Sequence, residues 1–109
     1  GGLRPSGRQL AAGGEHAARQ GKAHAAAVMD GKIYVTGGVD IQDYTMNSVC
    51  VYDPQADAWT QLASMSAARS CHASAAVGGK LYLFGGYGTS ELLSTAEVYD
   101  PASDSWAQV

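Results

Sequence analysis

The chain has 109 residues, a formal charge of −3 and an apolar content of 46%. This fits one small globular domain, without the basic face that nucleic acid or an anionic membrane requires. No apolar run approaches the ~18 residues of a membrane span, and no charged start followed by a long apolar stretch marks a secretory signal.

Residues 1–16 read as a flexible lead-in or the remnant of a preceding blade-like unit. They begin rich in glycine, and Leu10-Ala11-Ala12 then echoes Leu62-Ala63-Ser64. The Ala-rich stretch 9–29 invites a helix, because Ala is the best helix former. Internal alignment argues for strand instead. His24-Ala25-Ala26-Ala27 matches His72-Ala73-Ser74-Ala75, and the second copy runs straight into Gly78-Gly79, which leaves no room for a helix.

From there the chain says one thing twice, about 48 residues apart. Lys32-Ile33-Tyr34-Val35-Thr36-Gly37-Gly38 is followed by Val51-Tyr52-Asp53-Pro54 and Trp59. Lys80-Leu81-Tyr82-Leu83-Phe84-Gly85-Gly86 is followed by Val98-Tyr99-Asp100-Pro101 and Trp106. The spacing predicts strands over 24–29, 32–37, 47–53 and 58–62 in a first unit, residues 17–65. It predicts strands over 72–77, 80–85, 95–100 and 105–109 in a second, residues 66–109. Asp30-Gly31 and Gly78-Gly79 suit tight hairpin turns, and Asp53-Pro54 and Asp100-Pro101 suit the next turn of each unit. The fold class is all-β: two four-stranded antiparallel blades of a β-propeller. The small first strands suit a taper toward an axis. The larger second strands suit burial on both faces, and the Tyr and Trp side chains supply broad surfaces for packing between blades.

Gly37, Gly38, Tyr52 and Trp59, repeated as Gly85, Gly86, Tyr99 and Trp106, form an ordered pattern that resembles the kelch repeat. Arg69 and His72, three residues apart, add to the match. The resemblance covers residues 17–109. It implies a propeller of about six blades, and the Tyr-Asp-Pro-x-x-Asp-x-Trp style is similar to the BTB–kelch substrate adaptors of ubiquitin ligases. Two departures stand out. Arg19 lies five residues before His24, and Cys50 occupies the place of Glu97. Two blades cannot close a ring. The missing blades are therefore expected from a longer chain or from self-association, and the outer faces of the pair should carry apolar surface.

Antiparallel alternation places loops 38–46 and 87–94 at the same end as 18–23 and 68–71. These long loops are the candidate contact face. Asp40, Gln42, Asp43 and Tyr44 in the first, and Tyr87, Thr89, Ser90 and Glu91 in the second, are candidate partner-binding residues. Arg69 is grouped with them, the alternative being a framework side chain that pairs with a loop carboxylate or carbonyl. Cys50 is read as packing, and Cys71 as a small buried residue at a strand start, with a reactive thiol as the alternative. Two cysteines are too few for a disulfide scaffold, so both read as free thiols in a reducing, cytoplasmic setting. His16, His24 and His72 lack metal-ligand spacing. Asp40 and Asp43 do not make a calcium loop. No nucleophile motif is visible, so neither metal nor cofactor is expected. The resulting expectation is a non-enzymatic protein-interaction module, a substrate adaptor or scaffold. The alternatives are a fragment of a kelch-containing sugar oxidase or epimerase, or purely structural blades in a large assembly.

Overall fold

The structure, a computed structural model, describes residues 21–109, and among them every regular element is a β-strand. Strands β1 (Ala25–Met29), β2 (Lys32–Thr36), β3 (Val49–Asp53) and β4 (Ala58–Leu62) form one antiparallel sheet in chain order. Strands β5 (Ala73–Val77), β6 (Lys80–Phe84), β7 (Ala96–Asp100) and β8 (Ser105–Gln108) form the second in the same way. These are the two predicted blades, with strand ends at or up to two residues inside the expected bounds. The expected lead-in, residues 1–16, and Arg19 lie outside the described residues.

The Ala-rich segment is strand because of how it ends. Asp30 and Gly31 both hold positive φ (55° and 73°), the conformation of a two-residue hairpin, and Met29 pairs directly with Lys32. A helix could not turn back within two residues.

Strand alternation sorts the side chains. Ala27, Met29, Tyr34, Val49, Val51 and Leu62 share the face of the first blade that meets the second. There Met29, Tyr34, Val49 and Met65 pack with Leu81, Leu83 and Tyr99 of the second blade in one buried cluster. The rings of Tyr34 and Tyr99 meet across the interface at 6.4 Å, tilted by 54°. Burying one such aromatic contributes about 2–3 kcal/mol. The innermost strands approach closely because they are small: Ser74 Oγ in β5 donates to the Ala26 carbonyl in β1 at 3.0 Å.

Tyr52 and Trp59 do not join this interface. Each lies one residue out of phase with the buried face, so their paired rings, 5.1 Å apart, sit on the opposite side of the first blade. Their equivalents Tyr99 and Trp106, 5.0 Å apart, do face the first blade. The far side of the second blade is uncovered. Tyr82 and Phe84 stack there with an interplanar angle of 9°, and Phe84 is 45% exposed. Thr36, the matching residue of the first blade, is buried.

A four-residue latch closes the crossover between the blades. Asp104 Oδ1 accepts hydrogen bonds from the Ala63 amide (3.0 Å) and from the Tyr99 hydroxyl (2.6 Å). Trp106 Nε1 donates to the Ala63 carbonyl at 2.9 Å. Asp57 accepts from Tyr52 in the same manner, at 2.6 Å. The last Asp of each Asp-Pro-x-x-Asp turn thus holds the Tyr five residues earlier, and both aspartates adopt positive φ. Asp53 and Asp100 cap the same turns by accepting from Gln55 N and Ala102 N.

Candidate functional site

Both long loops leave the same end of the blades, as alternation predicts. Each is stitched to the segment that enters its own blade. Val39 bridges Lys22 and Thr45, and Tyr87 bridges Ser70 and Leu92. The loops also touch one another: Thr45 Oγ1 donates to the Gly88 carbonyl at 3.4 Å.

The candidate residues of the first loop form one turn. Asp40 Oδ1 accepts from Gln42 N and Tyr44 N (2.9 and 3.0 Å), and Asp43 takes positive φ (66°) to close it. Asp43 also lies 3.6 Å from Lys22, an exposed pair that contributes little. In the second loop Gly88 N donates to the Glu91 carbonyl at 2.7 Å, a short turn that displays Thr89, Ser90 and Glu91 to solvent. Tyr44 and Tyr87 project from the two loops, 67% and 53% exposed. Ile41 (68%) and Leu92 (71%) stand beside them in the same loops. Sequence reasoning passed over these two. The available signal was a branched apolar residue in a polar loop with no periodic partner.

Arg69 is not a surface contact. Its side chain is fully buried and lies 2.9 Å from the equally buried Glu97 carboxylate. The framework alternative is the correct one. Glu97 sits on β7 facing the crossover, so the Arg turns inward to meet it. Arg69 Nη1 donates to the carbonyls of Gly85 and Thr95 at 3.0 Å each, and Nη2 to Thr95 Oγ1 at 3.2 Å. Its backbone amide donates to the Met46 carbonyl and its carbonyl accepts from Gly38 N. One residue therefore ties down the bases of both loops. Glu97 completes the node by accepting from Ser66 N and Ala67 N of the crossover.

The two equivalent histidines do different work. His24 Nδ1 donates to the Gly37 carbonyl of its own blade at 2.7 Å. His72 Nε2 instead reaches the buried Thr36 hydroxyl of the first blade at 2.8 Å. Burial, then the Arg69 and His24 charges, push the His72 imidazole down to about 4. His72 is thus neutral throughout the physiological range. Cys50 is buried, as read. Cys71 is exposed rather than buried, because positive φ (54°) turns it outward just before β5. Among the described residues no trio of His, Cys, Asp or Glu converges in a way that could hold a metal ion.

Residues 8–109 match the family profile described as the KLHDC2/KLHL20/DRC7 Kelch-repeats domain. The chain is 35% identical over 109 residues to the F-box/kelch-repeat protein SKIP20 of Arabidopsis thaliana, covering 95% of this chain and 26% of that protein. It is 42% identical over 83 residues to Kelch-like protein 25 of Mus musculus, covering 75% of this chain and 14% of that protein. It is 32% identical over 90 residues to the spermatocyte protein spe-26 of Caenorhabditis elegans, covering 78% and 16% respectively. The chain thus spans about a quarter or less of the length of these relatives. With its ordered Gly pairs, Tyr and Trp in two antiparallel four-stranded blades, the chain belongs to the kelch-repeat family.

Proposed function

We propose that this chain is a protein-interaction module whose recognition surface is the end carrying loops 38–46 and 87–94, serving a substrate adaptor or scaffold. The single observation that carries the reading is that Ile41, Tyr44, Tyr87 and Leu92 are all exposed on two adjoining loops. Solvated loops have no need of four large apolar side chains. Partner surfaces use such residues as anchors, because Tyr buries area at small entropic cost. The loops are held at their bases by the buried Arg69–Glu97 node, which is the preorganisation that recognition requires. The adaptor role and a cytoplasmic setting belong to this proposal; relatives named as F-box/kelch-repeat and Kelch-like proteins support the interaction module itself. The open Phe84 face of the second blade supports a larger ring, completed by a longer chain or by further copies.

The test is a pull-down from cell extract with Tyr44→Ala and Tyr87→Ala beside the unaltered chain. Each substitution should weaken the captured partner by about tenfold or more, the usual effect of truncating a central aromatic anchor. Unchanged capture with both would sink the assignment of this face.

A further inference from the structure

Among the described residues, charge at the loop end of the blade pair is one-sided. Among the described residues there, Asp40, Asp43 and Glu91 are carboxylates at least partly open to solvent, and Lys22 is the one exposed cation. Lys22 faces Asp43. Asp40 and Glu91 have no ion-pair partner among the described residues. Arg69 would redress the balance if it reached solvent, but its guanidinium is sealed inside and neutralised by Glu97. Among the described residues this end offers a ligand three carboxylates, one of them beside Lys22, and four exposed apolar side chains.

That combination selects among partners. An acidic segment would bring carboxylates against Asp40, Asp43 and Glu91 and lose its hydration for nothing in return. A purely apolar segment would cover Ile41, Tyr44, Tyr87 and Leu92 but bury the carboxylates unpaired. Lys and Arg meet both demands. Their long stems lie along apolar surface while the charged head reaches a carboxylate at the rim. The exposed rings of Tyr44 and Tyr87 are also faces on which a guanidinium or ammonium group can rest.

We infer that the loop end binds a cationic protein segment in which Lys or Arg alternates with aliphatic or aromatic side chains. This rests on the loop end being the recognition face, and it adds the chemistry of what is recognised.

The experiment selects short peptides on the 109-residue chain from three displayed libraries: apolar residues interspersed with Lys and Arg, with Asp and Glu, or with Ser and Gln. Selected peptides are then synthesised and their binding measured by fluorescence anisotropy at low and high salt. The variant Asp40→Asn/Asp43→Asn/Glu91→Gln removes charge while keeping the turn, because Asn still caps it and tolerates the positive φ at residue 43. The cationic library should be enriched. The triple variant should bind its peptides about tenfold more weakly at low salt and with a flatter salt dependence. Enrichment of the acidic or neutral library, or indifference to the triple variant, overturns the inference while leaving the loop end as recognition face if Tyr44→Ala and Tyr87→Ala still abolish binding. Binding that survives both tyrosine substitutions, or no enrichment from any library, overturns inference and face together.

Discussion

Arg69 and Glu97 meet at 2.9 Å with both side chains wholly out of solvent, one from the crossover between the blades and the other from the third strand of the second blade. Removing either partner strands a buried charge. Arg69→Ala or Glu97→Ala should therefore cost about 3–5 kcal/mol in urea unfolding. The double change Arg69→Met/Glu97→Leu should cost less than the two singles summed, since it leaves neither charge unpaired. Additive costs would show that the two side chains act separately.

His72 makes stability depend on pH. Its imidazole titrates at about 4 in the fold, depressed first by burial and then by the Arg69 and His24 charges, against an ordinary 6.5. The unfolded chain therefore binds the extra proton more readily. Its contribution is complete above about pH 6.5 and is lost progressively as the pH falls toward 4, about 3 kcal/mol across that window. Unfolding free energies of the unaltered chain and of His72→Gln should diverge in slope between these limits. Parallel curves would contradict the buried neutral imidazole.

The latch on Ala63 predicts a second, more acidic dependence. The Tyr99 hydroxyl and the Ala63 amide hold the Asp104 carboxyl below the ordinary carboxylate value of 3.8. Its support is present above that value and vanishes as the pH drops through the lowered one. Asp104→Asn keeps an acceptor and tolerates the positive φ of 50°, so its melting temperature should lie between those of the parent chain and Asp104→Ala. Equal melting temperatures for all three would show the latch to be idle.

Two glycines of like conformation should respond differently to alanine. Gly37 (φ 60°) has the Arg69 carbonyl, the His72 ring and the Met65 methyl packed where a Cβ would lie, whereas Gly78 (φ 59°) has open space. Gly78→Ala incurs only the left-handed backbone cost, about 1–2 kcal/mol. Gly37→Ala adds a collision with backbone and should exceed ~3 kcal/mol. Thermal unfolding of the pair would separate the two contributions, and equal losses would refute the close approach at Gly37.

Much of this architecture is legible in the residues because it repeats. The Gly pairs, the Asp-Pro turns and the small-then-large strands each appear twice in register, and strand alternation fixes the shared end of the loops without coordinates. Three features resisted reading. A framework role for Arg69 is readable but its partner is not, since Glu97 is 28 residues away in sequence and pairing across a blade leaves no local pattern. The contrast between Cys50 and Glu97 was the available hint, because a charged residue on a buried strand needs a counter-charge. The equivalence of His24 and His72 also misleads. Phe84 replaces Thr36 in the second blade, so only the first blade offers a hydroxyl, and His72 takes it. Finally, Tyr52 and Trp59 look identical in role to Tyr99 and Trp106, yet each pair sees the neighbour on one side only. In the two described blades that puts one pair at the interface between them and the other on the opposite side of the first blade.

The latch has a consequence for biogenesis. Ala63 is gripped by Asp104 and Trp106, some forty residues downstream. During synthesis the exit of the first blade emerges from the ribosome long before the groups that fasten it. The first described blade therefore waits with its seam unfastened until the β7–β8 hairpin has been made. A stop codon placed just ahead of that hairpin would release a nascent product prone to clump, although every strand of the first described blade is already present.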